Sequence, residues 1–246
     1  MEVHAHTHTP RKKWTHYFWE FFMLFLAVTL GFFVENQREH YVEHQREKQY
    51  IRSLIADLKV DNQTLDNHIA NITRQLSMMD SMIVLLNNQE LVAQNTGQLY
   101  YLGRVSPRFG TLSVNNRTFE QLKNSGNFRL IRDLNTSDKI MAYYDKLQQI
   151  RQVEGIYDSE FNEYKKVAAK VFEPAVFKEM EQNDGSIARN STNPSLQTNN
   201  INLFKELAVF SIYMNGSRRG LLAFEKDFQK TATELISYLE NEYHVK

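Results

Sequence analysis

The chain has 246 residues, with 29 Lys+Arg against 29 Asp+Glu, so it lacks the basic excess that phosphate binding requires and no nucleic-acid partner is expected. It has no Cys, which excludes disulfides, thiolate zinc sites, iron–sulfur clusters and a Cys nucleophile. Nine Gly and four Pro are too few for a turn-rich β-sandwich or an α/β nucleotide fold, so an all-α chain is expected.

Residues 1–13 form a basic, His-rich tail. His4, His6 and His8 alternate, and alternating imidazoles on an extended strand share a face suited to a divalent metal. Such tails are usually unoccupied, and no cofactor is expected. Arg11, Lys12 and Lys13 then abut an aromatic, apolar stretch from Trp14 to Val34, in which Phe21 to Val34 carry no charge. Fourteen residues of helix reach about 21 Å, whereas a hydrocarbon core of roughly 30 Å needs about 20 residues. A transmembrane helix over 14–35 therefore takes in Glu20, with Trp14, Tyr17 and Trp19 as an interfacial belt and the lipid bilayer as a partner.

A cleaved signal peptide is the competing reading, since Arg11 to Lys13 resemble its basic region. The bulky Gly31 to Glu35 stretch offers no small-x-small cleavage site. A buried soluble helix is the third reading. Three basic residues directly against the span, set against the dispersed Arg38, Arg46, Lys48 and Arg52, favour an inner-membrane, single-pass protein with its N-terminus inside and its bundle in the periplasm. A domain on the cytoplasmic side is the alternative. Glu20 either reaches the headgroups, near Lys12 or Lys13, or marks an ion-paired or protonatable contact with another membrane subunit.

His40-Tyr-Val-Glu43-His44 matches the inverted zinc-protease motif. Its context is a charged juxtamembrane face with i,i+4 pairing, so His40, His44 and Glu47 are at most an adventitious metal site. From Phe32 to Thr96 there is no Gly or Pro. Ile51, Ile55, Leu58, Leu65, Ile69, Ile72, Leu76, Met79, Ile83 and Leu86 step by fours and threes, the pattern of a narrow coiled-coil seam continuing the membrane helix as a rod roughly 110 Å long. Asn62 interrupts that seam and is expected to fix register, or less simply to bind.

Residues 89–136 are expected to pack as the distal connection, with a short helix from Thr118 to Ser125 ended by Gly126. Between Gly97 and Arg132 this connection holds Arg104, Arg108, Arg117, Lys123, Arg129 and Arg132 against Glu120 alone. Interleaved with Tyr100, Tyr101, Phe109, Phe119 and Phe128, that composition suits a docking surface. Structural pairing of these Arg with acids such as Asp133, Asp138 or Asp80 is the competing account.

A second seam runs Ile140, Tyr143, Leu147, Ile150, Tyr157, Phe161, Tyr164, Ala168 and Val171, interrupted by Glu154. Its helix is expected to be capped by Thr136 or Ser137 and closed by Pro174. Residues 181–201 read as a flexible loop back near the membrane. A third seam runs Leu203, Leu207, Phe210, Met214, Leu221, Phe224, Phe228, Leu235 and Tyr238, with Ser217 and Thr231 in the small slots and Gly216 and Gly220 as a weak point. Three long helices, about 36–88, 137–172 and 202–243, predict an elongated up-down-up bundle within 36–246.

Several of these features occur in an order that resembles a group of uncharacterised bacterial single-pass membrane proteins defined by a domain of unknown function. Glu20, Asn36 and Glu39 match its membrane-proximal pattern, and Asp57, Leu58 and Asn62 its first helix. Phe119, Leu122, Ser125, Gly126, Leu130, Ile131, Tyr143 and Tyr144 match its later motif. The resemblance covers residues 15–150 and implies membrane anchoring and helicity, without an activity.

No Gly-rich phosphate loop or nucleophile elbow appears. The expected function is therefore non-enzymatic: a membrane-anchored scaffold or accessory subunit, with a protein partner or a homo-oligomer formed through the first seam. A ligand-sensing bundle coupled to a membrane partner is the alternative, and a zinc peptidase using Glu43 a remote third.

Overall fold

With no helix breaker between Phe32 and Thr96, one helix is the simplest outcome for the N-terminal third. In the computed structural model, which describes residues 13–245, that stretch forms α1 (Trp14–Leu86). The chain divides into two compact units between Tyr50 and Ile51, and α1 supplies residues to both. His4, His6, His8, Arg11 and Lys12 lie outside the described residues.

In the first unit α1 leaves nearly all its large apolar side chains from Trp14 to Val34 exposed. Trp14–Phe18 and Phe18–Phe22 stack one turn apart, with ring centroids at 6.3 Å. This helix is long and apolar enough to cross a membrane by length and composition. Glu35 accepts from Arg38 Nε at 3.0 Å just beyond that stretch.

The second unit is a helical bundle. After α1 come α2 (Gln89–Gln94), α3 (Thr96–Val105), α4 (Arg117–Asn124), a single 3-10 turn (Asn127–Leu130), α5 (Leu134–Val171), α6 (Pro174–Glu179) and α7 (Ile201–Tyr243). Short polar side chains set the starts: Asn88 accepts the Glu90 and Leu91 amides before α2, and Asn200 that of Asn202 before α7. Asp133, not Thr136 or Ser137, caps α5, taking the Thr136 amide at 2.7 Å, so that helix begins at Leu134. Gly126, at φ 69°, turns the chain after α4 in a conformation costly to residues with a Cβ.

Side-chain pairs fix the helix directions. Asn62 meets Thr233, His68 meets Glu225 and Asp80 meets Arg219, so α1 and α7 are antiparallel. Asp61 meets Tyr143 and Met82 meets Tyr164, so α5 runs parallel to α1. Thr136 with Tyr238 and Glu160 with Ser217 make α5 and α7 antiparallel. The order is up-up-down rather than the predicted up-down-up. The segment after α1 is long enough to return to the Ile51 end before α5 begins, so it runs the length of the bundle instead of closing one tip. Residues 181–201 are also misplaced by the sequence reading. Asn193 donates to the Gln94 carbonyl at 2.9 Å and Gln197 to that of Val171 at 3.0 Å, which packs this loop on α2 and α5 at the Leu86 end.

The first two seams occupy the core. Leu54, Met82 and Leu85 are buried beside the first, so α1 presents a wide face to two helices and not a narrow coiled-coil stripe. The third seam also faces the core, with Leu207, Met214, Leu221, Phe228 and Leu235 buried, but Phe224 is 42% exposed, and the polar Ser211, Arg218 and Glu225, each 0% exposed, join the buried face. Helix α7 is unbroken through Gly216 and Gly220.

Candidate functional site

The segment leaving α3 cannot form a sheet or helix of its own, so its backbone groups must be satisfied elsewhere. Residues 108–116 descend along α1 as an extended strap. Gln75 donates to the Arg108 carbonyl at 2.6 Å, His68 Nε2 lies 2.6 Å from the Gly110 carbonyl, and Asp61 accepts the Asn115 amide at 2.6 Å. These three residues are spaced by sevens on one face of α1. Glu154 of α5, the interruption in the second seam, accepts the Leu112 amide at 2.8 Å and Arg151 at 2.7 Å. At the lower end Asp57 accepts Asn115 Nδ2 at 2.7 Å and the Thr118 hydroxyl at 2.5 Å.

Burial pushes the Asp61 carboxyl up, the Asn115 amide and the Tyr143 hydroxyl draw it back, and nearby Asp57 adds to the rise, leaving it above the usual carboxylate range. For His68, burial works against the charged ring. Hydrogen bonds to Glu225 and Gly110, with the charges of Glu225 and Glu154, outweigh it and raise its pKa. Both ring nitrogens face acceptors, which is the arrangement an imidazolium satisfies.

Arg218, wholly buried, bridges α7 to the strap's beginning. Its Nη1 donates to the Ser106 carbonyl at 2.8 Å, its Nη2 to the Tyr157 hydroxyl, and its guanidinium lies 4.9 Å from the Tyr157 ring centroid. Tyr157 in turn donates to the Pro107 carbonyl at 2.7 Å. Burial lowers the Arg218 pKa, partly offset by Tyr157. Sequence reasoning passed over His68, Arg218 and Glu225, although Arg218 and Glu225 are seven apart in the row that α7 buries.

The basic connection is not one surface. Arg117 binds Asn115 at 2.9 Å and lies 3.7 Å from Asp57, while Arg129 and Arg132 are exposed nearby, on and just after the 3-10 turn. Arg104 lies towards the other end, near Met82, and Arg108 at the level of Gln75. Those levels are roughly 37 and 27 Å from that of Asp57 along a helix rising about 1.5 Å per residue. Tyr100 is buried, donating to the Ser195 carbonyl at 2.8 Å and accepting the Glu173 amide at 3.0 Å, so it is not an interface residue on this chain's surface. Tyr101 is half-buried under Arg189, 4.7 Å from its ring centroid. Asn62 donates to Thr233 at 3.2 Å, a lateral bond between α1 and α7. Glu20 is exposed in the first unit. There too, His44 Nδ1 lies 3.2 Å from Glu47. Among the described residues no group of three or more His, Asp and Glu is placed to hold a metal ion, so His40, His44 and Glu47 are not brought together as one.

Between α3, α5 and α6 lies a cavity of about 290 Å³. Phe161, Tyr164, Phe172 and Phe177 wall it, and Arg104, Arg108 and Lys165 stand around it. Arg104 is 5.6 Å from the Phe177 ring centroid and its Nε is buried without a hydrogen-bond partner. Burial and the like charge of Arg108 lower the Arg104 pKa, while Glu181 raises it. Among the described residues none of the three cations forms an ion pair. No family model, curated protein or solved structure matches the chain.

Proposed function

We propose that this chain is a single-pass protein of the bacterial inner membrane, anchored by residues 14–35, with its N-terminus inside and its bundle in the periplasm. The bundle works without catalysis, as a scaffold or accessory subunit that binds a protein partner or a second copy of itself. The observation that carries the reading is the exposure of the first unit's apolar helix. None of its most apolar eighteen-residue window is buried, and the core of the second unit starts at Ile51. Apolar area left in water forgoes about 25 cal/mol per Å², which a bilayer would recover. Val209, Ile212 and Tyr213, exposed together on the outer face of α7, support an interaction role.

The anchor is tested by alkaline carbonate extraction of membranes from cells expressing the full chain. Wild type is expected in the pellet. Replacing Leu26 and Val28 by Arg, at roughly 2.5–3.5 kcal/mol per charge at the centre of a span, is expected to move the chain to the supernatant. Release of wild type by carbonate would contradict the reading.

A further inference from the structure

We infer that the cavity between α3, α5 and α6 binds an amphiphilic carboxylate of medium chain length. Four aromatic side chains wall a space of about 290 Å³, at the lower end of the roughly 300–1,000 Å³ typical of small-molecule sites. That volume suits a single short acyl chain and is too small for a two-chain lipid. The charged groups lining it are all cationic. Arg104 ends α3, Arg108 follows shortly after, and Lys165 comes from α5, its ammonium 4.7 Å from the Phe161 ring centroid. Arg104 and Arg108 repel each other, Glu181 offsets this only in part, and an anion placed between them relieves that repulsion.

The Arg104 guanidinium, which lines the cavity, carries the inference from charge to geometry. Its Nε is buried and closed off from the cavity, so the carboxylate would be met by the Nη groups, which suit a planar anion. Tyr164 does not compete for the ligand, because its hydroxyl already donates to the Gly103 carbonyl at 2.9 Å. The ligand's head would meet Arg104 and Arg108, and its chain would lie against Phe161, Phe172 and Phe177. An apolar wall gives inorganic phosphate or sulfate little to bind. All these residues belong to the second unit, so the inference does not rest on the membrane reading.

The test titrates purified full-length protein, released from detergent, with sodium decanoate and separately with decan-1-ol under native mass spectrometry. One decanoate per chain is expected, with the alcohol binding about tenfold or more weakly because it lacks the charged acceptor. Arg104→Ala with Arg108→Ala is expected to weaken decanoate by about tenfold or more. Ala169→Trp, at an exposed residue lining the cavity, should block uptake while leaving every cation in place. Lys123→Ala with Arg129→Ala, at the other end of the bundle, should bind as wild type does. Absence of a decanoate adduct on wild type, equal uptake of the alcohol, loss of binding in the distant pair, or retention in both cavity variants would each overturn the inference.

Discussion

His68 of α1 and Glu225 of α7 face each other with Nδ1 2.9 Å from the carboxylate, while the opposite ring nitrogen lies 2.6 Å from the Gly110 carbonyl of the strap. One imidazolium therefore joins three segments remote in sequence. Because its folded pKa is raised above the ordinary value of 6.5, the stability it contributes is fully present below about pH 6.5 and is lost as pH rises through the folded value. Bundle stability measured from pH 5.5 to 9 should fall across that range in wild type. The fall should be reduced in His68→Gln, and equal slopes would show that this ring does not titrate on unfolding.

The strap depends on carboxylates from two helices, and each can be withdrawn separately. Glu154→Ala leaves the buried Leu112 amide without its acceptor, a loss of roughly 1–3 kcal/mol, while the exposed Arg151 turns to solvent. Hydrogen exchange should then accelerate at Leu112 and its neighbours before it does in α7. Uniform acceleration throughout the bundle would mean that the strap has no local opening of its own.

Two phenylalanines of the predicted α7 seam are unequal in burial. Phe228→Ala removes a fully buried ring stacked at 4.4 Å on Tyr143 and is expected to cost about 3–5 kcal/mol. Phe224→Ala, on the exposed side, should cost less than about 1 kcal/mol. Chemical denaturation of the two variants measures the difference, and equal losses would mean that Phe224 is packed in the core as apolarity alone predicts.

These residues also show what could be read from the sequence. The first two seams were legible because every third or fourth residue is apolar on helices that face the core. In α7 the choice of Phe224 followed apolarity, whereas the buried row admits Arg218 and Glu225 because each finds partners on distant segments. Helix direction was not legible, since a seam reads the same either way and only the long return from Leu86 to Leu134 decides it. Gln75, His68 and Asp61 did carry a signal, a heptad of polar residues beside the apolar seam of α1. Arg104 and Arg108 were singled out from the basic connection, but Lys165 and Phe177 were not. Those two reach the cavity from α5 and α6, and nothing in local composition marks them.

Membrane anchoring with an exported bundle is the central claim, and the absence of native Cys allows a direct measurement. Single-Cys variants Ser77→Cys and Ser237→Cys, both at exposed positions of the second unit, are treated with an impermeant thiol reagent in cells whose outer membrane is permeabilised. A Thr9→Cys variant reports the tail. The account predicts labelling at 77 and 237 in intact cells, with position 9 reacting only after lysis. Labelling of position 9 alone before lysis, or protection of all three, would place the bundle in the cytoplasm and contradict it.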